Sequence, residues 1–202
     1  GFGNALNVMR CVEEFESSGV AAIQFEDQLM PKRCGHMEGK VLIPMEDMVA
    51  KIRAAVAARR DPDFVIIART DARAVFGFDE AIRRAKAYVE AGADVIFFEA
   101  PQSVDEVKTV AATLKIPLLS NMVEKGKTPL FSAEELKEMG YSIVIYPVTM
   151  LYAATKHMME TLDVLKETGE VSKTVPYTCD FPTFNKMIGL DELRALEKSF
   201  SE

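Results

Sequence analysis

FVIIARTDARAVFGFDEAIRRAKAYVEAGADVIFFEAP, residues 64–101, holds two short runs of Val, Ile and Phe with an amphipathic segment between them. FVIIARTD (64–71) and DVIFFEAP (94–101) are continuously apolar rather than alternating, the pattern of strands covered on both faces. FDEAIRRAKAYVEAG (78–92) carries its apolar residues at helical spacing and stops at Gly92. The stretch reads as strand–helix–strand, the crossover that two parallel strands require.

Outward from it, the unit recurs about every 25 residues. VAAIQFED (20–27), IPLLSNM (116–122) and SIVIYPV (142–148) are further strands. MEDMVAKIRAAVAARR (45–60), SVDEVKTVAATLK (103–115), SAEELKEMG (132–140) and TMLYAATKHMMETLDVLKETG (149–169) are the helices. Ser103 and Ser132 are placed as N-caps, and Gly140 and Gly169 as stops. Each of the first four strands turns polar at its C-terminal end: Glu26 with Asp27, Arg69, Glu99 and Asn121. In a barrel of parallel strands that end is the active-site face, so a shared site on one rim is expected.

Five strands fall short of eight, and a full barrel takes roughly 250 residues. The chain also opens on GFGN with no strand before it. The fold expected is therefore α/β, a (β/α)8 TIM-type barrel entered after its first strands; an open five-stranded α/β sheet is the alternative. One partial barrel domain is expected over 1–202, with a helical tail from about 174. An exposed edge on the last strand predicts association with another chain.

The 202 residues are 49% hydrophobic and 27% charged, with net charge −7, which argues against nucleic acid and anionic membrane as partners. No apolar run approaches a membrane span, and GFGNALNVMR lacks the plan of a signal peptide. Three distant cysteines are no disulfide framework, so a reduced, cytoplasmic setting is expected. GFG alone is too weak to mark a dinucleotide site.

DQLMPKRCGHMEGKVLIP (27–44) is about 18 residues without a periodic pattern. Connections of that length are uncommon unless they work as lids or binding loops. Lys32, Arg33 and Lys40 make it basic, which suits closure over an anion. Cys34 with His36 offers two zinc ligands where about four are needed, and no second cysteine is near enough for a redox pair. A thiol that exchanges a proton remains as general acid or base, set against an incidental cysteine on a basic loop. His157 and Cys179 read as packing, surface or structural residues, and Cys11 with Val8 and Phe15 reads as core.

FEDQLMPKRCGH (25–36), ARTDA (68–72), FFEAP (97–101) and NMVEKGKTPLFS (121–132) together resemble the isocitrate lyase/phosphoenolpyruvate mutase superfamily, with KRCGH pointing to its lyase branch. The resemblance implies a barrel with Mg²⁺ (or Mn²⁺) at the strand ends and a homotetramer that swaps a late helix. It implies that Cys34 protonates the departing carbanion and that Gly35 and His36 hold a substrate carboxylate. Arg69 would face that carboxylate and the developing enolate, Glu99 and Asn121 would contact substrate, and Glu26 would hold metal-bound water. The family's main metal aspartates would fall upstream of Gly1. The activity implied is cleavage of a 2-hydroxy di- or tricarboxylate to pyruvate or glyoxylate plus a carboxylate. Oxaloacetate hydrolysis, carboxyphosphonoenolpyruvate or phosphoenolpyruvate rearrangement, or an inert fragment are the alternatives. 2-Methylisocitrate lyases carry an arginine where Tyr152 stands and another near TCDFPTF; MEGK (37–40) and YPVTMLYA look more like 2-alkylmalate-cleaving relatives of the petal death protein type.

Overall fold

The computed structural model describes residues 3–201. Contacts divide the chain into two compact units, one ending at Pro147 and the other beginning at Val148. The first runs α1 (Ala5–Ser17), β1 (Ala22–Glu26), α2 (Met45–Ala58), β2 (Val65–Thr70), α3 (Ala72–Val75), α4 (Phe78–Glu90), β3 (Val95–Phe98), α5 (Val104–Thr113), β4 (Leu118–Asn121), α6 (Ala133–Glu138) and β5 (Ile143–Ile145). The five strands are all parallel and lie in chain order, β1-β2-β3-β4-β5. A doubly wound sheet would reverse direction somewhere; this one never does, so every right-handed crossover lays its helix on the same face. With helices on one side only, the sheet is an arc of a barrel.

Side-chain alternation separates the two faces. Ile23, Phe25, Ile66, Ala68, Ile96, Phe98 and Leu118 pack outward into the helix-covered core with Val12, Ile52, Tyr88 and Leu136. Ile67, Val95, Phe97 and Leu119 form a separate inner cluster with Ala22, Val65, Ile143 and Ile145. Burying a side chain such as Ile66 is worth about 1.5–3 kcal/mol, so the outer core carries most of the unit's stability.

The expected helix ends are present: Ser103 Oγ accepts from Glu106 N, and Ser132 forms a capping box with Glu135. Cys11 is partly buried against the core as expected, but Phe15 is 45% exposed, because α1 turns only its Val8 and Val12 face inward. The second unit holds α7 (Thr149–Thr168), a 3₁₀ turn (Val171–Tyr177), α8 (Phe181–Met187) and α9 (Leu190–Ser199). Helix α7 has no buried residue, and it exposes Met150, Leu151, Met159 and Leu162. His157 on α7 lies 3.3 Å from Glu160, and Cys179 is exposed. Among the described residues no helix is long and apolar enough to cross a membrane.

Candidate active site

Period-two alternation carries the inner face of each strand past its apolar part to a polar end. Arg69 follows Ile67, Glu99 follows Phe97, Asn121 follows Leu119, and Glu26 pairs in register with Arg69. The expected convergence on one rim therefore holds for Glu26, Arg69, Glu99 and Asn121. Asp27 departs from it: one residue beyond Glu26, it points to the opposite, helix-covered face, where Tyr88 and Arg84 of α4 meet it.

Arg69 is the centre of the inner cluster. Its Nε and Nη2 donate to the two oxygens of Asp71 at 2.9 and 3.1 Å. Glu26 Oε2 stands 3.3 Å from Nε, and Glu99 Oε1 stands 3.6 Å from Nη2. The guanidinium stacks over the Phe97 ring at 4.7 Å, its neighbour in the strand register. Burial opposes the charge, but the hydrogen bonds to Asp71 and the charges of Glu99, Asp71 and Glu26 outweigh it and raise the pKa. Burial raises the pKa of Glu99 and of Glu26 against the pull of the same arginine. Asn121 Nδ2 donates to Glu99 Oε2 at 3.4 Å.

The basic loop closes over this cluster rather than lying free. Its stem is a short antiparallel ladder, with a bridge from Gln28 to Leu42 and a bond from Leu29 N to Val41 O at 2.8 Å. Gln28 holds Arg33 twice, donating to its carbonyl at 2.9 Å and accepting from its N–H at 2.8 Å. Lys40, itself buried, donates from Nζ to the carbonyls of Gly35 and Met37. Gly35 then sits so near the cluster that an added Cβ would run into the Glu99 carboxylate and the Arg69 guanidinium. Lys32 reaches Glu26 at 3.4 Å. Cys34 is exposed, one residue before that contact.

His36 turns inward. Its Nδ1 accepts from Lys127 N at 3.0 Å, which leaves the proton on Nε2, 3.3 Å from Glu99 Oε1. Burial lowers its pKa, and the charges of Arg69, Lys40 and Lys127 add to that against Asp71, so the imidazole is neutral at pH 7. An unfolded chain takes up a proton near 6.5 that the folded chain resists. The stability His36 contributes is thus present above 6.5 and is lost as pH falls below it. In urea unfolding, the gap between wild type and His36→Gln is expected to narrow between about pH 7.5 and 5.5; a gap that ignores pH would refute the neutral imidazole.

Glu26 Oε2, His36 Nε2, Glu99 Oε1 and Asn121 Oδ1 are buried without a hydrogen-bond partner. Each such atom costs about 1–3 kcal/mol, so their gathering at one point marks a place completed by a polar ligand. Magnesium fits only in part. Glu26 Oε2 suits a cation-held water, but Asp71 is committed to Arg69, and no group of three or more His, Cys, Asp or Glu among the described residues is arranged to hold a metal. The described residues do not make up a metal centre by themselves.

Asp71 and Lys40 are parts of the site that the sequence reading did not assign. The signal for Asp71 was available: it lies two residues after Arg69, on the same face. Lys40 was expected as a loop cation facing an anion; it is instead buried on the loop's own carbonyls.

Residues 1–166 match the family described as phosphoenolpyruvate phosphomutase. A 2,3-dimethylmalate lyase of Eubacterium barkeri is 48% identical over 201 residues, covering 100% of this chain and 70% of that protein. A 2-methylisocitrate lyase of Aeropyrum pernix is 55% identical over 169 residues, covering 84% of this chain and 54% of that protein. A solved phosphonopyruvate hydrolase in complex with oxalate and Mg²⁺ superposes with a TM-score of 0.83 at 32% identity, covering 100% of this chain and 70% of that one. The chain spans 54% to 70% of the length of these proteins.

Proposed function

The chain belongs to the phosphoenolpyruvate phosphomutase family, and from that membership we propose that it serves a carbon–carbon lyase acting on a 2-hydroxy di- or tricarboxylate of the 2-alkylmalate or 2-methylisocitrate type. The observation that carries the reading is one buried arginine set among unpaired acceptors and an inward imidazole, beneath a loop that carries an exposed thiol.

Arg69 has five N–H donors and gives two to Asp71, so the rest are available to a substrate carboxylate and to the oxyanion that develops at C2. His36 Nε2–H and the Gly35 backbone close on the same anion. Glu99, kept protonatable by burial, accepts the C2 hydroxyl proton as the C2–C3 bond breaks. The electron pair stays on C3, and the Cys34 thiol delivers the proton that quenches it. One half leaves as pyruvate or glyoxylate and the other as a carboxylate. Asn121 orients Glu99. Mg²⁺ dependence belongs to the proposal through Glu26, with no step assigned to the ion.

A dicarboxylate substrate is favoured over a tricarboxylate, since a third buried carboxylate needs a cation and the sequence has a tyrosine at 152 where 2-methylisocitrate lyases carry an arginine. A cytoplasmic homo-oligomer, with a late helix exchanged between copies in a tetramer, completes the proposal; the apolar side chains exposed on α7 support the association.

The test is release of pyruvate and glyoxylate with Mg²⁺ across 2-alkylmalates, 2-methylisocitrate, isocitrate and oxaloacetate. Pyruvate or glyoxylate from one of them supports the lyase; oxalate plus acetate from oxaloacetate alone would replace it with a hydrolase. Gly35→Ala should lower that turnover by on the order of 100-fold, because the new methyl lifts the loop from Glu99 and Arg69. Its melting temperature should hold within a few degrees, since the loop lies outside the core. Normal turnover in Gly35→Ala would show that loop closure is not used.

A further inference from the structure

Behind the site, on the helix-covered face of the sheet, Asp27 is fully buried and holds four groups. Its Oδ1 accepts from Asp71 N at 2.9 Å. Its Oδ2 accepts from Thr70 Oγ1 at 2.8 Å, from Tyr88 OH at 2.8 Å and from Arg84 Nη1 at 3.2 Å. The last two come from α4. The first two hold the turn directly after Arg69, and Thr70 Oγ1 in turn accepts from Ala72 N at 3.2 Å.

A carboxylate buried among Phe25, Ile66 and Tyr88 is a costly way to fill a core, because both it and Arg84 must leave water. What an apolar residue could not do is fix the peptide of Asp71. That N–H is anchored on the outer face while the Asp71 carboxylate reaches the inner face and takes Arg69 with two bonds. Asp71 caps no helix with its side chain, although it precedes α3. The chain Asp27 → Asp71 → Arg69 thus links the back of the sheet to the guanidinium.

We propose that Asp27 is a positioning residue of the active site, fixing the turn at 70–72 so that Asp71 sets the aim of Arg69. What Arg69 does for substrate rests on the lyase reading; the geometry does not.

Asp27→Asn is the informative variant. Three donors converge on Oδ2, so the single amide oxygen must serve them, and the amide nitrogen is left facing the Asp71 N–H, donor against donor. Tyr88→Phe is the control, since it weakens the same network on the α4 side and spares both bonds to the turn. The readout independent of catalysis is the ¹⁵N-resolved Arg69 Nε–H signal in the full chain, assigned by its disappearance in Arg69→Lys. Asp27→Asn should lower its protection from exchange by about 10-fold or more and lower kcat/KM by on the order of 10-fold or more, whereas Tyr88→Phe should keep both within about 2-fold despite a lower melting temperature. An unchanged Nε–H signal in Asp27→Asn, or equal losses in Tyr88→Phe, would overturn the proposal. Should Asp27→Asn not fold, Thr70→Val loosens the same turn and is judged by the same outcomes. A wild-type chain that shows the protected signal but releases no product would count against the lyase reading alone.

Discussion

Cys34→Ser is expected to lower carbon–carbon cleavage by about 100- to 10,000-fold, the range a positioned general acid contributes. Serine is nearly isosteric, but its hydroxyl is a far weaker acid than a thiol and gives up a proton poorly to a carbanion. The fold should not notice the change. Cys34 is exposed, and the loop around it is held by the Gln28 amide on Arg33 and by Lys40 on the Gly35 and Met37 carbonyls. Substrate affinity should also hold, because Arg69 and His36 keep their places. Steady-state kinetics with a thermal melt of the same sample decides the matter. Turnover near wild type would take the acid's role away from Cys34, whatever else the site does.

Arg69→Gln is expected to be the most destabilising single change in the site, by about 3–5 kcal/mol at pH 7. The substitution removes the one charge that Glu26, Asp71 and Glu99 share, and Asp71 is fully buried. Binding of a small dianion such as oxalate should vanish with it. The sign of the pH response follows from the carboxylates. Glu26 and Glu99 already have folded pKa values raised above 4.5 by burial, and they rise further without Arg69. A raised carboxylate contributes stability below its unfolded value and loses it as pH climbs through the folded one, so the variant should regain stability on acidification from neutral towards about pH 5. Urea midpoints at several pH values test this. A variant equally unstable at every pH would mean that its defect is lost packing on Phe97 rather than unpaired charge.

The parallel arc was legible because both of its signals are local: short unbroken Val/Ile/Phe runs, and helices bounded by Ser103, Ser132 and glycine stops. The rim was legible for the same reason, since a strand's period of two places Arg69, Glu99 and Asn121 beyond apolar inner residues. That rule should also have separated Glu26 from Asp27, which are neighbours in the chain and on opposite faces of the sheet. Phe15 is exposed despite its helical spacing from Val8 because a helical stripe gives a face but not its width. In sequence the loop shows no periodic pattern because what orders it is tertiary: one glutamine amide, one lysine, and a backbone N–H of Lys127 that fixes the His36 tautomer from 91 residues away. Lys40 is visible in sequence only as charge on a basic loop, since a lysine that binds carbonyls looks like any solvated cation until the carbonyls are in place.

The loop's supports reach its backbone at Arg33, Gly35 and Met37 and leave the side chain of residue 34 out of the framework. The loop's shape is therefore encoded by residues other than the one the lyase reading makes its proton donor. On the lyase reading, a substitution at 34 removes the proton donor without disturbing how the loop descends, and a change at 28 or 40 spoils the descent without touching that donor. A scaffold divided in this way is evolvable: new chemistry can be tried one exposed side chain at a time, while the cost of failure is confined to activity and spares folding.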